Sequence, residues 1–205
     1  MTTGFDAEAQ DRPTGPSRPQ EIIRALRANL RSQDVIICDV GAHKLWMARM
    51  FPCEVPNTCL ISNGYAAMGI GLPGAIAAKL AYPDRRVITV TGDGGFLMNI
   101  QELETAVREH APIIVLVWRD NGYGVIRWNQ QKQFGRTGLV EFGNPDFVKL
   151  AQSFGAEGMR VTAPSELRPC LIEACGYDRP VVIDCPVDYS ENMKLTERLR
   201  ALGNA

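Results

Sequence analysis

Two acidic residues of this chain stand where a carboxylate is costly. Asp93 sits inside VTGDGGFLMN, between glycines, and Asp120 ends an apolar segment in WRDNGYG. A carboxylate among glycines builds no core, yet it can ligate a cation or accept hydrogen bonds. Glycine lacks a Cβ and tolerates positive φ, so the amides of Gly94 and Gly95 are free to turn toward an anion. A helix starting near Phe96 would add its positive N-terminal end. An anion seat with a carboxylate beside it is a contradiction unless a cation joins the two. Mg²⁺ suits the position, because it takes one or two carboxylates together with phosphate oxygens and water. The rival reading of Asp93 is a plain turn residue.

Asp120 lies 27 positions beyond Asp93, the length of one helix plus one strand, which returns the chain to the same sheet edge. At an effective dielectric near 20, two carboxylates about 4 Å apart repel by about 4 kcal/mol. A shared dication removes that conflict. The carbonyl of Gly122 is a candidate third oxygen. A competing pattern, GIGLPG at 69–74, matches the glycine spacing of a dinucleotide-binding turn. That turn needs a strand end opening a helix, whereas these glycines are expected inside an apolar helix with Pro73.

The elements that must hold these groups alternate along the chain. Ile22, Ile23, Leu26 and Leu30 recur at helical spacing after Ser17 and Pro19. Apolar runs at 35–40, 58–62, 86–92, 112–120, 158–161 and 180–187 read as strands. Helices are expected at 43–51, 66–81 and 96–110, from Asn144-Pro145 to Phe154, and from a Ser165 cap to Ala174. Six continuous apolar runs separated by helices predict an α/β fold, a doubly wound, six-stranded, mostly parallel sheet covered on both faces. Its ligands belong beyond the carboxyl ends of the strands. Residues 126–142 show weak periodicity and predict an irregular lid or binding loop. Residues 1–18 predict a disordered tail or linker, 19–192 the folded domain, and 193–205 a C-terminal tail or helix.

Charge and composition narrow the function. The 205 residues carry a net charge of −1 with no basic block, which speaks against nucleic acid. Six cysteines include no C-x-x-C pair. Cys170 and Cys175, five apart, would point about 140° away from each other on a helix, so two separately packed thiols are expected. This usage suits a reducing compartment. No apolar leader and no run of about 18 apolar residues is present, so a cytoplasmic protein with no membrane contact is expected.

G-D-G at 92–94, followed by the Asp120-Asn121-Gly122 strand end, resembles the thiamine diphosphate signature. VGAHKLWMARMF, ISNGYAAMGIGLP, TGDGGFLMNIQELETAVR, NGYG, FGNPDF, SFGA and PVDYSEN extend the likeness over residues 20 to 192. Together they resemble the C-terminal domain of acetolactate synthases, most of all the catabolic kind that carries Asp at the second metal position. The resemblance implies that Asp93, Asp120 and the Gly122 carbonyl hold Mg²⁺. Gly41, Ala42, His43, Gly92, Gly94, Gly95, Asn121 and Tyr123 would surround the diphosphate of thiamine diphosphate. Met68 would be the apolar wedge that bends the cofactor, Gly64 would line its aminopyrimidine, and Val125 and Ile126 would flank the thiazolium. Relatives commonly have Met then Val at that last pair.

Residue by residue, plainer roles compete. His43 caps a helix start or meets phosphate, and Met68 is a core methionine or the wedge. His110 reads as a solvated helix end. Trp118 and Trp128 read as packing, with Trp128 within possible reach of substrate. The family's activating glutamate belongs to a pyrimidine-binding domain, and no catalytic residue is expected on this chain. Three readings follow. The chain is one subunit of a split 2-oxo acid decarboxylase or carboligase, in a dimer of heterodimers with a pyrimidine-binding partner. It is a cofactor-binding or regulatory module without catalysis. Or it is a piece of a longer synthase.

Overall fold

The computed structural model describes residues 14–195. Most of the expected N-terminal tail (1–13) and the end of the expected C-terminal one (196–205) lie outside the described residues. The elements run α1 (Pro19–Asn29), β1 (Val35–Cys38), α2 (Ala42–Met50), β2 (Cys59–Ile61), α3 (Gly71–Ala81), β3 (Val87–Gly92), α4 (Asp93–Met98) and α5 (Glu102–Arg108). They continue through β4 (Ile114–Arg119), α6 (Gly124–Phe134), α7 (Phe147–Ser153), β5 (Glu157–Arg160), α8 (Pro164–Ala174) and β6 (Val181–Pro186). Among the described residues the six strands form one sheet, ordered β2-β1-β3-β4-β6-β5, and every pairing is parallel.

Alternation along the strands divides the core. Ile36, Cys38, Ile88, Val90, Ile114, Leu116 and Trp118 face α1, α2 and α8, where Ile22, Leu26, Trp46, Leu167 and Leu171 meet them. Val35, Ile37, Val87, Val115, Val117 and Val182 face the opposite layer of α3, α5 and α7, with Leu72, Leu103, Phe147 and Ala151. Strands apolar on both faces are what a sheet sandwiched between two helical layers requires. The chain reverses its winding between β1 and β3, which opens a crevice beyond the carboxyl ends of these two strands.

Several boundaries differ from expectation. Ser17 lies two residues before α1. It is buried and pairs with the end of β6, donating from its amide to Pro186 (3.0 Å) while its carbonyl accepts from Asp188 (2.9 Å). Arg18 is the cap residue, and its N–H donates to the Glu21 carboxylate at 2.6 Å. Likewise Ala163 precedes α8, so Ser165 lies inside its first turn. α3 starts at Gly71 instead of 66, because Ala66 (φ 49°) and Gly69 (φ 89°) are left-handed and break the helix. Gly69 therefore lies before the helix, not within it. The 96–110 helix is two helices, α4 and α5, and α4 begins at Asp93 itself.

The largest correction concerns 126–142. Its first half belongs to α6, which ends at Gly135 in the left-handed conformation favoured at helix C-termini (φ 67°). α6 buries only Trp128, so no apolar stripe betrays it. Residues 140–142 then fold back onto the β4 exit. Tyr123 N–H donates to Val140 (2.9 Å) and Phe142 N–H to Asn121 (3.2 Å). No described helix is long and apolar enough to cross a membrane.

Candidate functional site

A cavity of about 350 Å³ occupies the crevice beyond β1 and β3, and extends over the β4 exit. It is lined by Gly41, Ala42 and His43 from the β1 end, and by Gly92, Asp93, Gly94 and Gly95 from the β3 end. Asp120, Gly122, Tyr123, Val125 and Ile126 come from the β4 end, and Met68 comes from the turn before α3. Gly64 and Asn121 are not among the lining residues. Gly64 lies exposed in a left-handed turn (φ 77°), and Asn121, also left-handed (φ 55°), faces Asn144 instead.

Asp93 is 1 % exposed and opens α4. One carboxylate oxygen accepts from Gly94 N–H at 2.9 Å. The other accepts from Asn121 N–H and from the Asn144 amide, each at 2.7 Å. Burial pushes its carboxyl up, and these neutral donors oppose the shift. Asp120 accepts from Arg127 of α6 at 3.1 Å. Its carboxyl is pushed up to about 7, first by burial and next by the charge of Asp93, with Arg127 opposing. Two carboxylates facing one cavity thus have a single arginine between them among the described residues. A dication would offset this electrostatic deficit.

The glycines of GDGG act through space more than through positive φ. A Cβ on Gly94 would approach the Tyr123 ring at 3.0 Å, and one on Gly95 would meet the Asp39 carboxylate at 2.9 Å. The turn is helical from Asp93 on, so a side chain at either position would collide with what packs against it. The amide of Gly94 serves the Asp93 carboxylate, which shifts the anion-facing role toward the start of α2. There the N–H groups of Ala42 and His43 belong to a first turn that has no intrahelical acceptors.

His43 is 1 % exposed, and its Nε2 lies 3.0 Å from the Asp39 carbonyl. A carbonyl only accepts, so Nε2 carries the proton and Nδ1 is left as an acceptor. Burial lowers its pKa to about 4. A neutral ring with its one donor engaged offers an anion nothing but its main chain. Trp118 supplies the opposite case. Its side chain is fully buried and borders the cavity, and its Nε1 has no hydrogen-bond partner.

Three residues of the site escaped sequence reasoning. Asp39, 1 % exposed, accepts from Gly69 N–H (3.0 Å) and Thr91 Oγ1 (3.0 Å), and so ties the β1 and β3 ends to the turn that carries Met68. Asn144 and Arg127 hold the two carboxylates. Asn144 stood in a quoted motif, FGNPDF, and Arg127 in a segment read as loop. Met68 is half-buried on the cavity wall and lies before α3, not on it. Trp128 packs into the α1–α2 core layer, and His110 is exposed at a left-handed turn (φ 49°). All six cysteines are free thiols, Cys170 beside Met159 (3.9 Å).

Comparison with known proteins agrees with this geometry. Residues 39–185 match the family model of the thiamine pyrophosphate enzyme, C-terminal TPP binding domain. An acetolactate synthase of Bacillus subtilis (strain 168) is 46 % identical over 179 residues, covering 87 % of this chain and 31 % of the relative. A catabolic acetolactate synthase of Raoultella terrigena is 42 % identical over 181 residues, 88 % of this chain and 32 % of the relative. The chain therefore spans about a third of the length of these curated relatives. In fold it superposes on the Rhodococcus jostii RHA1 thiamine diphosphate-dependent 4-hydroxybenzoylformate decarboxylase with a TM-score of 0.81 at 23 % identity, covering 89 % of this chain and 35 % of that one. Its sheet, its cavity and the matched residues make this chain a member of the thiamine pyrophosphate enzyme family, corresponding to the C-terminal cofactor-binding domain of acetolactate synthase-like proteins.

Proposed function

We propose that this chain binds Mg²⁺ and the diphosphate end of thiamine diphosphate as one subunit of a split, cytoplasmic 2-oxo acid decarboxylase or carboligase of the acetolactate synthase type. The observation that carries the reading is the pair Asp93 and Asp120, on neighbouring strand ends, facing one glycine-lined cavity with a charge deficit. Asp93, Asp120 and the Gly122 carbonyl would hold the metal. The first-turn amides of α2 are donors available to an anion beside it. Gly92, Gly94, Gly95 and Tyr123 shape the floor of the seat, and Asn121, outside the cavity lining, holds Asp93 through its N–H. Met68, Val125 and Ile126 give it apolar walls suited to the organic part of the ligand.

Bound thiamine diphosphate supplies the electron sink needed to break the bond beside a 2-oxo group. The chain's own contribution is binding and orientation. The activating glutamate would come from a pyrimidine-binding chain in a hetero-oligomer, and the substrate would be a 2-oxo acid such as pyruvate. Reconstitution tests this. The chain mixed with a pyrimidine-binding subunit purified from the same host, with thiamine diphosphate and Mg²⁺, should release CO₂ from a 2-oxo acid. No turnover with any co-purifying partner would count against the split assembly. A second reading, that these residues are part of a longer synthase polypeptide, is favoured by the one-third coverage of the relatives. Intact-mass measurement on native protein separates the two.

A further inference from the structure

We propose that Asn144 is a positioning residue for the metal, clamping the β3 and β4 exits together so that Asp93 and Asp120 keep the spacing a small dication needs. The inference rests on the Mg²⁺ role proposed above for the two aspartates. Asn144 belongs to the segment between α6 and α7, remote in sequence from both carboxylates. Its Nδ2 donates to Asp93 Oδ2 at 2.7 Å and to Asn121 Oδ1 at 2.9 Å, so one amide bridges the residue that opens α4 and the neighbour of Asp120. The orientation of that amide is fixed by chemistry, since flipping it would set its oxygen against two acceptor oxygens. Its Oδ1 is buried without a hydrogen-bond partner. An unmet buried acceptor is normally destabilising, and here it accompanies a donor spent on both strand exits.

The clamp is itself anchored from the far side of the sheet. Two residues on, Asp146 caps α7, accepting from Val148 N–H (3.1 Å), and it pairs with Arg160 of β5 (2.7 Å). Arg160 in turn pairs with Asp184 of β6 (2.9 Å), which Arg119 of β4 also holds (2.7 Å). Phe147, fully buried, meets Phe96 of α4 edge-on with centroids 5.5 Å apart. Asn144 therefore reaches Asp93 from a segment fixed at both the sheet and α4. It occupies Asp93 Oδ2 together with Asn121 N–H, which leaves Oδ1, held by Gly94 N–H, as the oxygen for a cation.

Mg²⁺ requires near-ideal octahedral geometry at about 2.0–2.1 Å, whereas Ca²⁺ accepts looser sites at about 2.3–2.6 Å. Loss of the clamp should thus change ion preference as well as affinity. Thiamine diphosphate is titrated calorimetrically into the full chain with Mg²⁺ or with Ca²⁺, for the wild type, Asn144→Ala and Asn144→Leu, the last keeping the side-chain volume without the donor. Thermal unfolding of each protein is recorded alongside. The expected result is a loss of about 10- to 100-fold in Mg²⁺-dependent affinity, the range for residues that orient metal ligands. Ca²⁺-dependent affinity should fall less, so the Mg²⁺ preference narrows while both variants still unfold cooperatively. Variants that bind like the wild type with the same ion preference would overturn the role of Asn144 alone. A wild-type chain that binds no thiamine diphosphate with Mg²⁺ would overturn the metal reading and this inference with it.

Discussion

Two groups of aspartates in this fold are treated in opposite ways. At the β5–β6 side, Asp184 is 2 % exposed and meets Arg119 and Arg160 at 2.7 and 2.9 Å, while Asp146 takes a second bond from Arg160. Two carboxylates there face two guanidinium groups, and the cluster closes on itself. At the β3–β4 exits, Asp93 and Asp120 have Arg127 alone among the described residues, at 3.1 Å from Asp120, and Asp93 is held by neutral donors. The difference teaches how to tell a structural ion network from a waiting ligand set. Each group has one fully buried member, Asp184 in the first and Asp93 in the second, and what separates the groups is whether the charge is already balanced.

The largest effect should come from the open group. Asp93→Ala is expected to abolish Mg²⁺-dependent thiamine diphosphate binding, a loss beyond the roughly 100-fold limit for supporting residues, read by calorimetry. Affinity like that of the wild type would erase the distinction between the two groups. The closed group should respond in stability instead. Asp184→Ala removes the buried partner of two partly solvated arginines and is expected to lower unfolding free energy by about 2 kcal/mol, measured by denaturant titration. Cofactor affinity of the folded protein should change little by comparison.

A third region sets the pH response. His43 has a folded pKa of about 4 against an ordinary value near 6.5. Below 6.5 the unfolded chain takes up a proton that the folded chain refuses, so this contribution is complete above pH 6.5 and is lost as pH falls toward 4. His43→Gln keeps a donor for the Asp39 carbonyl and should flatten the decline in stability between those values. An unchanged slope would show that the ring charges without unfolding. The smallest effect is expected at Arg127. Its pair with Asp120 is partly solvated and worth about 1 kcal/mol, so Arg127→Ala should strengthen Mg²⁺ binding by about fivefold as the competing cation is removed. Weaker binding would mean that the guanidinium supports the metal site.

The parallel sheet and the acidic pair were legible in the sequence because each is a local signal. Runs such as RVITVTG and PIIVLVWRD are apolar at every position, which only a strand covered on both faces explains. Asp93 and Asp120 follow those runs at once, so strand ends placed them. α6 was not legible, since GVIRWNQQKQF buries one residue and carries no stripe. Asn144 and Arg127 were missed because their partners are chosen by tertiary folding, and no periodicity records that an amide will reach a carboxylate 51 residues away. His43 shows another limit, in which position is legible in the sequence and protonation is not. Its place in the cavity follows from the β1 end, while its neutrality follows from a carbonyl four residues upstream and from complete burial.

The most direct test of the central claim is diffraction from crystals of the chain grown with thiamine diphosphate and Mn²⁺ in place of Mg²⁺, the ion located by its anomalous signal. The account predicts one peak bridging Asp93 and Asp120 with the diphosphate against it. A peak elsewhere, or two carboxylates turned apart with none between them, would contradict it.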